Sequence, residues 1–141
     1  MSFEKLFVLK KLNQLQDYID ELKDLLDKNS NKAILSNSGK MHIAERLLQL
    51  ISDIMVDINQ HFIKELNLKM VEDFQSTFYT LGDNNILQKK FAIKIAPVVG
   101  IRNRLVHRYE ELDKKIFVEK LRDNYKDFYK YIKLINKYIK K

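Results

Sequence analysis

Apolar residues recur every three or four positions along most of this 141-residue chain. This spacing places them on one side of an α-helix, whereas a half-buried β-strand would alternate apolar and polar residues. The first such stripe consists of Val8, Leu12, Leu15, Ile19, Leu22 and Leu26. Three glycines and one proline are too few for a sheet protein with many tight turns. The sequence therefore predicts an all-α, up-and-down helical bundle that forms a single domain over residues 1–141.

The stripes and the residues that flank them predict about five helices. We expect the first four at about residues 3–27, 40–67, 71–81 and 85–107, and a fifth that Asp113 caps and whose apolar stripe reaches Ile139. The polar residues 28–38 are expected to form a loop. Pro97 lies inside the fourth helix, where it removes one backbone hydrogen bond and bends the helix.

The composition narrows the class of protein. The chain has no cysteine, which excludes a disulfide scaffold, a cysteine-ligated metal and a thiolate nucleophile. No apolar run approaches the ~20 residues of a membrane-spanning helix, and no signal-peptide pattern opens the chain. We therefore expect a cytoplasmic protein with no membrane association.

The positive charge is concentrated at one end of the chain. The formal net charge is +7, and residues 114–141 carry ten lysines and arginines against three acidic residues, so the rest of the chain is neutral. Four of these lysines share one face of the fifth helix: Lys126, Lys130, Lys133 and Lys137. Such a row attracts a phosphate backbone, although by itself it is more typical of the solvated face of an amphipathic helix.

The apolar pattern breaks at the end of the fourth helix. One stripe runs through Phe91, Ile95 and Val98 toward Arg102, Leu105 and Tyr109, and a second runs through Ala92, Ala96 and Val99 toward Asn103 and Val106. Arg102 and Asn103 thus stand where apolar residues are expected, and a guanidinium withdrawn from water without partners costs several kcal/mol. Either this end of the helix meets an interface with acceptors, or Arg102 is held there for an anion.

Helical geometry separates the polar residues of this segment into two pairs. At about 100° per residue, Arg102 and Tyr109 project in one direction, and Asn103 and His107 project well over 90° away. One straight helix cannot aim all four side chains at one atom. Either the helix unwinds near His107, or two copies of the chain meet and pool their side chains.

The string of residues 102–109, Arg-Asn-Arg-Leu-Val-His-Arg-Tyr, resembles the Arg-x4-His-x-Tyr motif of the HEPN superfamily, and within it the HepT toxins. Residues 45–61 and 74–81 and the later Asp113 also follow the order of that family, so the resemblance extends over residues 5–135. It implies a HEPN-like homodimer whose two motifs line one cleft and cleave RNA without a metal ion or cofactor. It also implies a partner, a minimal nucleotidyltransferase antitoxin that neutralises the toxin by transferring adenylyl groups from ATP to Tyr109.

The motif residues can supply what RNA cleavage needs. His107 can act as base or acid near neutral pH, and Arg102 offers a planar fork to the phosphoryl oxygens. Asn103 can hold His107 or donate to a phosphate, and Tyr109 can stack on a base. Arg104 and Arg108 are further candidates for nucleic-acid binding. The plain alternatives are a surface His107, a core Tyr109, and an Arg102 that pairs with Glu110 or Glu111.

Two residues of the second helix form another candidate pair. Asp57 and His61 are four positions apart, so they can hydrogen-bond each other, support the motif cleft, or bind a metal, for which two ligands are few. We expect no metal site. His42 has no evident role.

Two other functions fit the same sequence. The chain could be a non-catalytic subunit that binds nucleotide or substrate for a nucleotidyltransferase, in which case it would leave RNA uncut. It could also be a structural bundle that dimerises through the segment 91–109. Phosphate-binding glycine loops and the sequence patterns of serine hydrolases and zinc proteases do not occur.

Overall fold

A computed structural model of the chain describes residues 4–140 and contains only helices and turns in that range. The elements are α1 (Lys5–Lys28), α2 (Asn31–Leu35), α3 (Ser38–Glu65), α4 (Phe74–Asp83), α5 (Lys89–Ile95), α6 (Val98–His107), a 3-10 turn (Tyr109–Glu111), α7 (Lys114–Asn124) and α8 (Lys126–Ile139). The all-helical prediction is confirmed. The predicted number of about five helices is wrong, because eight α-helices lie in the described range.

Two of the differences arise at helix caps. The predicted loop 28–38 contains α2, which begins where the Ser30 hydroxyl accepts a hydrogen bond from the backbone N–H of Ala33 at 3.1 Å. The fourth helix begins at Lys89 rather than at residue 85. Asn85 has a φ of 60° and follows the last turn of α4, so it belongs to the end of that helix.

The other two differences are breaks within predicted helices. Around Pro97 the helix divides into α5 and α6, and the N–H of Val99 bonds the carbonyl of Ala96 in a tightened turn at 3.2 Å. The expected bend is therefore a full break. The fifth helix divides in the same way at Tyr125, where the N–H of Phe128 bonds the carbonyl of Tyr125 at 3.1 Å.

The core surrounds α3, which contacts α1, α2, α4 and α6. All six residues of the first apolar stripe are buried at 3% exposure or less, so this part of the predicted core is confirmed. Burial of these side chains away from water is the main source of stability for such a bundle. In the part of the chain that the structure describes, no helix is long and apolar enough to cross a membrane.

A chain of hydrogen bonds between buried polar groups links three helices. The Tyr131 hydroxyl on α8 donates to Asn59 Oδ1 on α3 at 2.6 Å, and Asn59 Nδ2 donates to Thr77 Oγ1 on α4 at 3.1 Å. The Thr77 hydroxyl in turn donates to the carbonyl of Phe74 at 2.6 Å. Burial raises the pKa of Tyr131 well above its ordinary value, so its hydroxyl remains a donor.

We expect Tyr131→Phe to lower the free energy of unfolding by about 1–3 kcal/mol, because it leaves the buried Asn59 oxygen without its donor. Urea denaturation measures this change. Tyr138→Phe removes a hydroxyl from a half-buried tyrosine of the same helix and should change stability by about 0.5 kcal/mol or less. Equal urea midpoints for the two variants would contradict this role of Tyr131.

Candidate active site at the end of α6

Arg102 is anchored to the central helix of the bundle. Its Nε donates to Asp53 Oδ1 on α3 at 2.8 Å, and its Nη1 lies 3.4 Å from the acceptor Asn103 Oδ1. These two bonds use two of the five N–H donors of the guanidinium, which leaves donors for a further acceptor. The alternative partners Glu110 and Glu111 are not the ones that Arg102 contacts.

The ion pair directs Arg102 more than it stabilises the fold. The Arg102 side chain is 20% exposed and the Asp53 side chain is 42% exposed, so water screens their attraction. Pairs of this kind typically contribute about 1 kcal/mol or less. The guanidinium therefore stands at the edge of the core, close to solvent and in a defined orientation.

His107 is the last residue of α6 and its side chain is exposed. Arg108 leaves the helical conformation with φ −142° and ψ 52°, and the chain then enters the 3-10 turn. The helix thus ends where the first of the two geometric alternatives, unwinding near His107, expects it to end. No hydrogen bond joins His107 to Arg102 among the described residues.

Tyr109 turns back onto α3 after the helix ends. Its hydroxyl donates to Glu45 Oε2 at 2.6 Å, and Lys114 Nζ lies 5.3 Å from the centre of its ring. The bond to Glu45, and then partial burial, raise the pKa of Tyr109, and Lys114 opposes this shift. The phenol is consequently neutral at physiological pH. It is a partly exposed residue at 37% rather than a core aromatic.

The two carboxylates that hold the motif were not singled out from the sequence as functional residues. Glu45 and Asp53 lie on one side of α3, where Gln49 and Asp57 complete a polar row at intervals of four. Their partners are 64 and 49 residues away in the chain. The spacing of the row can be read from the sequence, but the sequence does not show which helix packs against that side of α3.

The structure places Asp57 and His61 against α1. Asp57 pairs with Lys11 at 3.2 Å, and the His61 ring stacks on Phe7 with centroids 4.4 Å apart. Asp57 therefore bonds a lysine of another helix. Support of the motif cleft by this pair stays a prediction. Within residues 4–140 no cluster of three or more His, Cys, Asp and Glu side chains is suited to a metal ion.

The basic candidates are exposed but lie on separate elements. Arg104 and Arg108 lie within the motif segment 102–109, and Arg108 Nε lies 3.8 Å from Glu111 Oε2. The row on α8 is wholly exposed and consists of Lys126, Lys130, Lys133 and Lys137. Lys130 Nζ lies 5.1 Å from the centre of the Phe91 ring on α5, eleven residues before Arg102. Lys130 thus lies against α5 rather than at the end of α6, and binding of the row to nucleic acid stays a prediction.

Comparison with known proteins gives a consistent result. Residues 15–135 match the family described as "Ribonuclease HepT-like". The tRNA nuclease HepT of Aphanizomenon flos-aquae is 33% identical over 139 residues, which cover 98% of this chain and 93% of that protein. The mRNA nuclease HepT of Shewanella oneidensis is 28% identical over 88 residues, which cover 62% of this chain and 66% of that protein.

The fold is also that of a solved toxin. The tri-AMPylated HEPN toxin of Shewanella oneidensis, in complex with MNT antitoxin, has a TM-score of 0.83 to this chain at 22% identity, covering 92% of this chain and 96% of that one. The cytosolic protein YutE of Bacillus subtilis has a TM-score of 0.82 at 14% identity, covering 99% and 93% of the two chains. At these identities the likeness shows the fold alone.

Proposed function

The chain belongs to the family of HepT-like ribonucleases, and from this premise we propose that it is a metal-independent endoribonuclease toxin whose catalytic residues are Arg102, Asn103 and His107. The observation that carries the proposal is the end of α6. There an anchored guanidinium and an exposed imidazole fall in the spacing of the motif, at the point where the helix stops. A cytoplasmic location accords with an RNA substrate.

The residues support a transesterification. His107 takes the proton of the ribose 2′-OH, whose oxygen attacks the adjacent phosphorus. A 2′-O–P bond forms, the bond from phosphorus to the 5′-oxygen breaks, and an acid protonates that oxygen as it leaves. Arg102 donates to the phosphoryl oxygens, where negative charge grows in the transition state. The products are a 2′,3′-cyclic phosphate and a 5′-hydroxyl.

A base and an acid on opposite sides of the phosphate require two groups, and each chain has one motif histidine. Arg102 and His107 are five residues apart on one helix, so they project roughly 140° from each other. Asp53 fixes the first of them toward α3. A second copy of the chain would bring its own His107 to the cleft. That copy would supply the second acid–base group and would place an imidazole near Arg102, which its own chain's His107 faces away from. The active form in this proposal is therefore a homodimer.

Two exposed apolar residues accord with a dimer at this end. Val106 in the motif and Ile116 just after it are 40% and 47% exposed. Burial of apolar side chains against a second copy is favourable at roughly 25 cal/mol per Å² of apolar surface. The same contact would bring the two α6 ends together.

RNA approaches through positive charge. Arg104 and Arg108 lie within the motif segment 102–109, and the lysine row on α8 lies in the segment 114–141 that carries the chain's excess charge, so both would contact the phosphate backbone. The nuclease relatives are named for different RNAs, tRNA in one case and mRNA in the other. The proposed substrate class is therefore RNA without a narrower assignment.

Neutralisation acts on Tyr109. In this proposal a minimal nucleotidyltransferase antitoxin transfers adenylyl groups from ATP to the Tyr109 hydroxyl, and the bulky anion then blocks the cleft by size and charge. The related Shewanella toxin is AMPylated in a complex with MNT antitoxin. In this chain the last residue of the motif, Tyr109, is partly exposed, and this accessibility supports the proposal.

We expect His107→Ala and Arg102→Ala each to reduce cleavage of RNA by the purified chain about 100-fold or more, since each removes a group that acts on the reacting atoms. Wild-type cleavage should continue in EDTA. His42→Ala is the matched control, because it removes an exposed imidazole from α3 outside the motif. Induced expression of the wild type and of His42→Ala should arrest growth, whereas induced expression of His107→Ala or Arg102→Ala should not. If the His107 variant cuts RNA as fast as the His42 variant, the mechanism is wrong, and uncut RNA with the wild type would favour a non-catalytic binding subunit.

Mixing wild-type and variant chains tests the shared cleft. Wild-type and His107→Ala chains, co-expressed with different tags and purified as mixed dimers, hold only one of the two motif histidines. A cleft that takes its base from one copy and its acid from the other should then cleave RNA far more slowly than half of the wild-type rate. Mixed dimers that keep half of the wild-type rate would contradict a cleft that pools residues from two chains.

A further inference from the structure

The short bond between Tyr109 and Glu45 joins the modification site to the central helix. The Tyr109 hydroxyl lies 2.6 Å from Glu45 Oε2, within the range of an O–H···O⁻ bond to a charged acceptor. It links the turn after α6 to the second turn of α3, across 64 residues of chain. A half-buried carboxylate therefore already accepts the hydrogen bond of the proton that must leave when Tyr109 is adenylylated.

We propose that Glu45 is the general base for this modification, so that the toxin supplies the group that activates its own target hydroxyl. The inference rests on the proposed function, in which an antitoxin transfers adenylyl groups to Tyr109. It adds a catalytic residue in the toxin chain itself.

Adenylylation forms one bond and breaks one bond at the α-phosphorus of ATP. The Tyr109 oxygen attacks the α-phosphorus of ATP, and an O–P bond forms there. The bond from the α-phosphorus to the bridging oxygen breaks, and pyrophosphate leaves with the electron pair. The phenol proton passes to Glu45 Oε2 and then to solvent, and the product is a tyrosyl adenylate ester.

A base is needed because the phenol is neutral. The bond to Glu45 and partial burial raise the pKa of Tyr109, so almost none of it is phenolate at neutral pH. A protonated phenol is a weak nucleophile, and a base within hydrogen-bond reach typically accelerates such a step by 10²–10⁴-fold. Lys114 Nζ lies 5.3 Å from the centre of the Tyr109 ring, and its positive charge favours the negative charge that grows on the phenol oxygen.

Glu45 could instead only hold the Tyr109 ring in place, as a tether. A tether needs only a hydrogen-bond acceptor at residue 45, whereas a general base needs a group that can take up the proton. Glutamine can accept a hydrogen bond from the Tyr109 hydroxyl and hold the ring, but it cannot take up the proton. Aspartate keeps a carboxylate at a shorter reach. The series Glu45→Gln, Glu45→Asp and Glu45→Ala therefore separates proton transfer from positioning.

The test measures the rate at which the cognate nucleotidyltransferase antitoxin adds adenylate to Tyr109 of the purified full chain, with ATP, followed by mass spectrometry of the Tyr109 peptide. Glu45→Gln should slow the first transfer about 100-fold at pH 7, and Glu45→Asp should restore part of the rate. Glu65→Gln is the matched control, because it removes the same charge from the other end of α3. Tyr109→Phe confirms the site of modification.

The pH dependence of the modification rate distinguishes a base from a tether, because loss of a tether would lower the rate by the same factor at every pH. Without a base, the rate of Glu45→Gln should rise with pH as phenolate becomes available, so the ratio of wild-type to variant rates should fall as pH rises. The effects of pH on the antitoxin cancel in that ratio.

Four results would overturn the inference. Equal rates for Glu45→Gln and wild type, or a slow Glu45→Ala beside an unimpaired Glu45→Gln, would make Glu45 at most a tether. A ratio that does not change with pH would exclude proton transfer. If wild-type Tyr109 is never modified, the proposed neutralisation fails together with this inference, whereas RNA cleavage by the chain would stand as a separate result.

Discussion

The contact on which the site depends is the ion pair between Arg102 on α6 and Asp53 on α3. It joins the motif to the helix around which the core is built, at a Nε–Oδ1 distance of 2.8 Å. Because the pair is partly exposed, its contribution to stability is small, about 1 kcal/mol or less. The pair mainly fixes the orientation of Arg102: it holds the guanidinium at the edge of the bundle and leaves three of its five N–H donors available.

The end of α6 supplies the second constraint. A continued helix would carry Tyr109 on past the core, but the break at Arg108 returns the chain to α3, where Glu45 accepts the Tyr109 hydroxyl. Two carboxylates of one helix thus hold the first and last residues of the motif. His107 lies between these two anchored residues in the chain, and its side chain remains exposed. The proposed role as a base requires this exposure, because the imidazole must reach a substrate.

The sequence predicted those parts of the fold that depend on local periodicity. The stripe on α1 and the end of the helix at His107 each follow from residues close together in the chain. Pro97 predicted a bend at the place where the helix in fact breaks. The short α2 was missed because five residues with one buried side chain, Ile34, show no periodicity. Glu45 and Asp53 were missed because their roles depend on which helix α3 faces, and residue spacing within one helix does not contain that information.

The most direct test of this account is the kinetics of RNA cleavage by Asp53→Ala, with Glu65→Gln as the control on the same helix. If Asp53 orients Arg102, kcat should fall about tenfold or more while the fold survives. KM for RNA should stay the same or fall, because the cleft loses a negative charge near the phosphate. An unchanged kcat would contradict the claim that the contact with α3 places the guanidinium for catalysis.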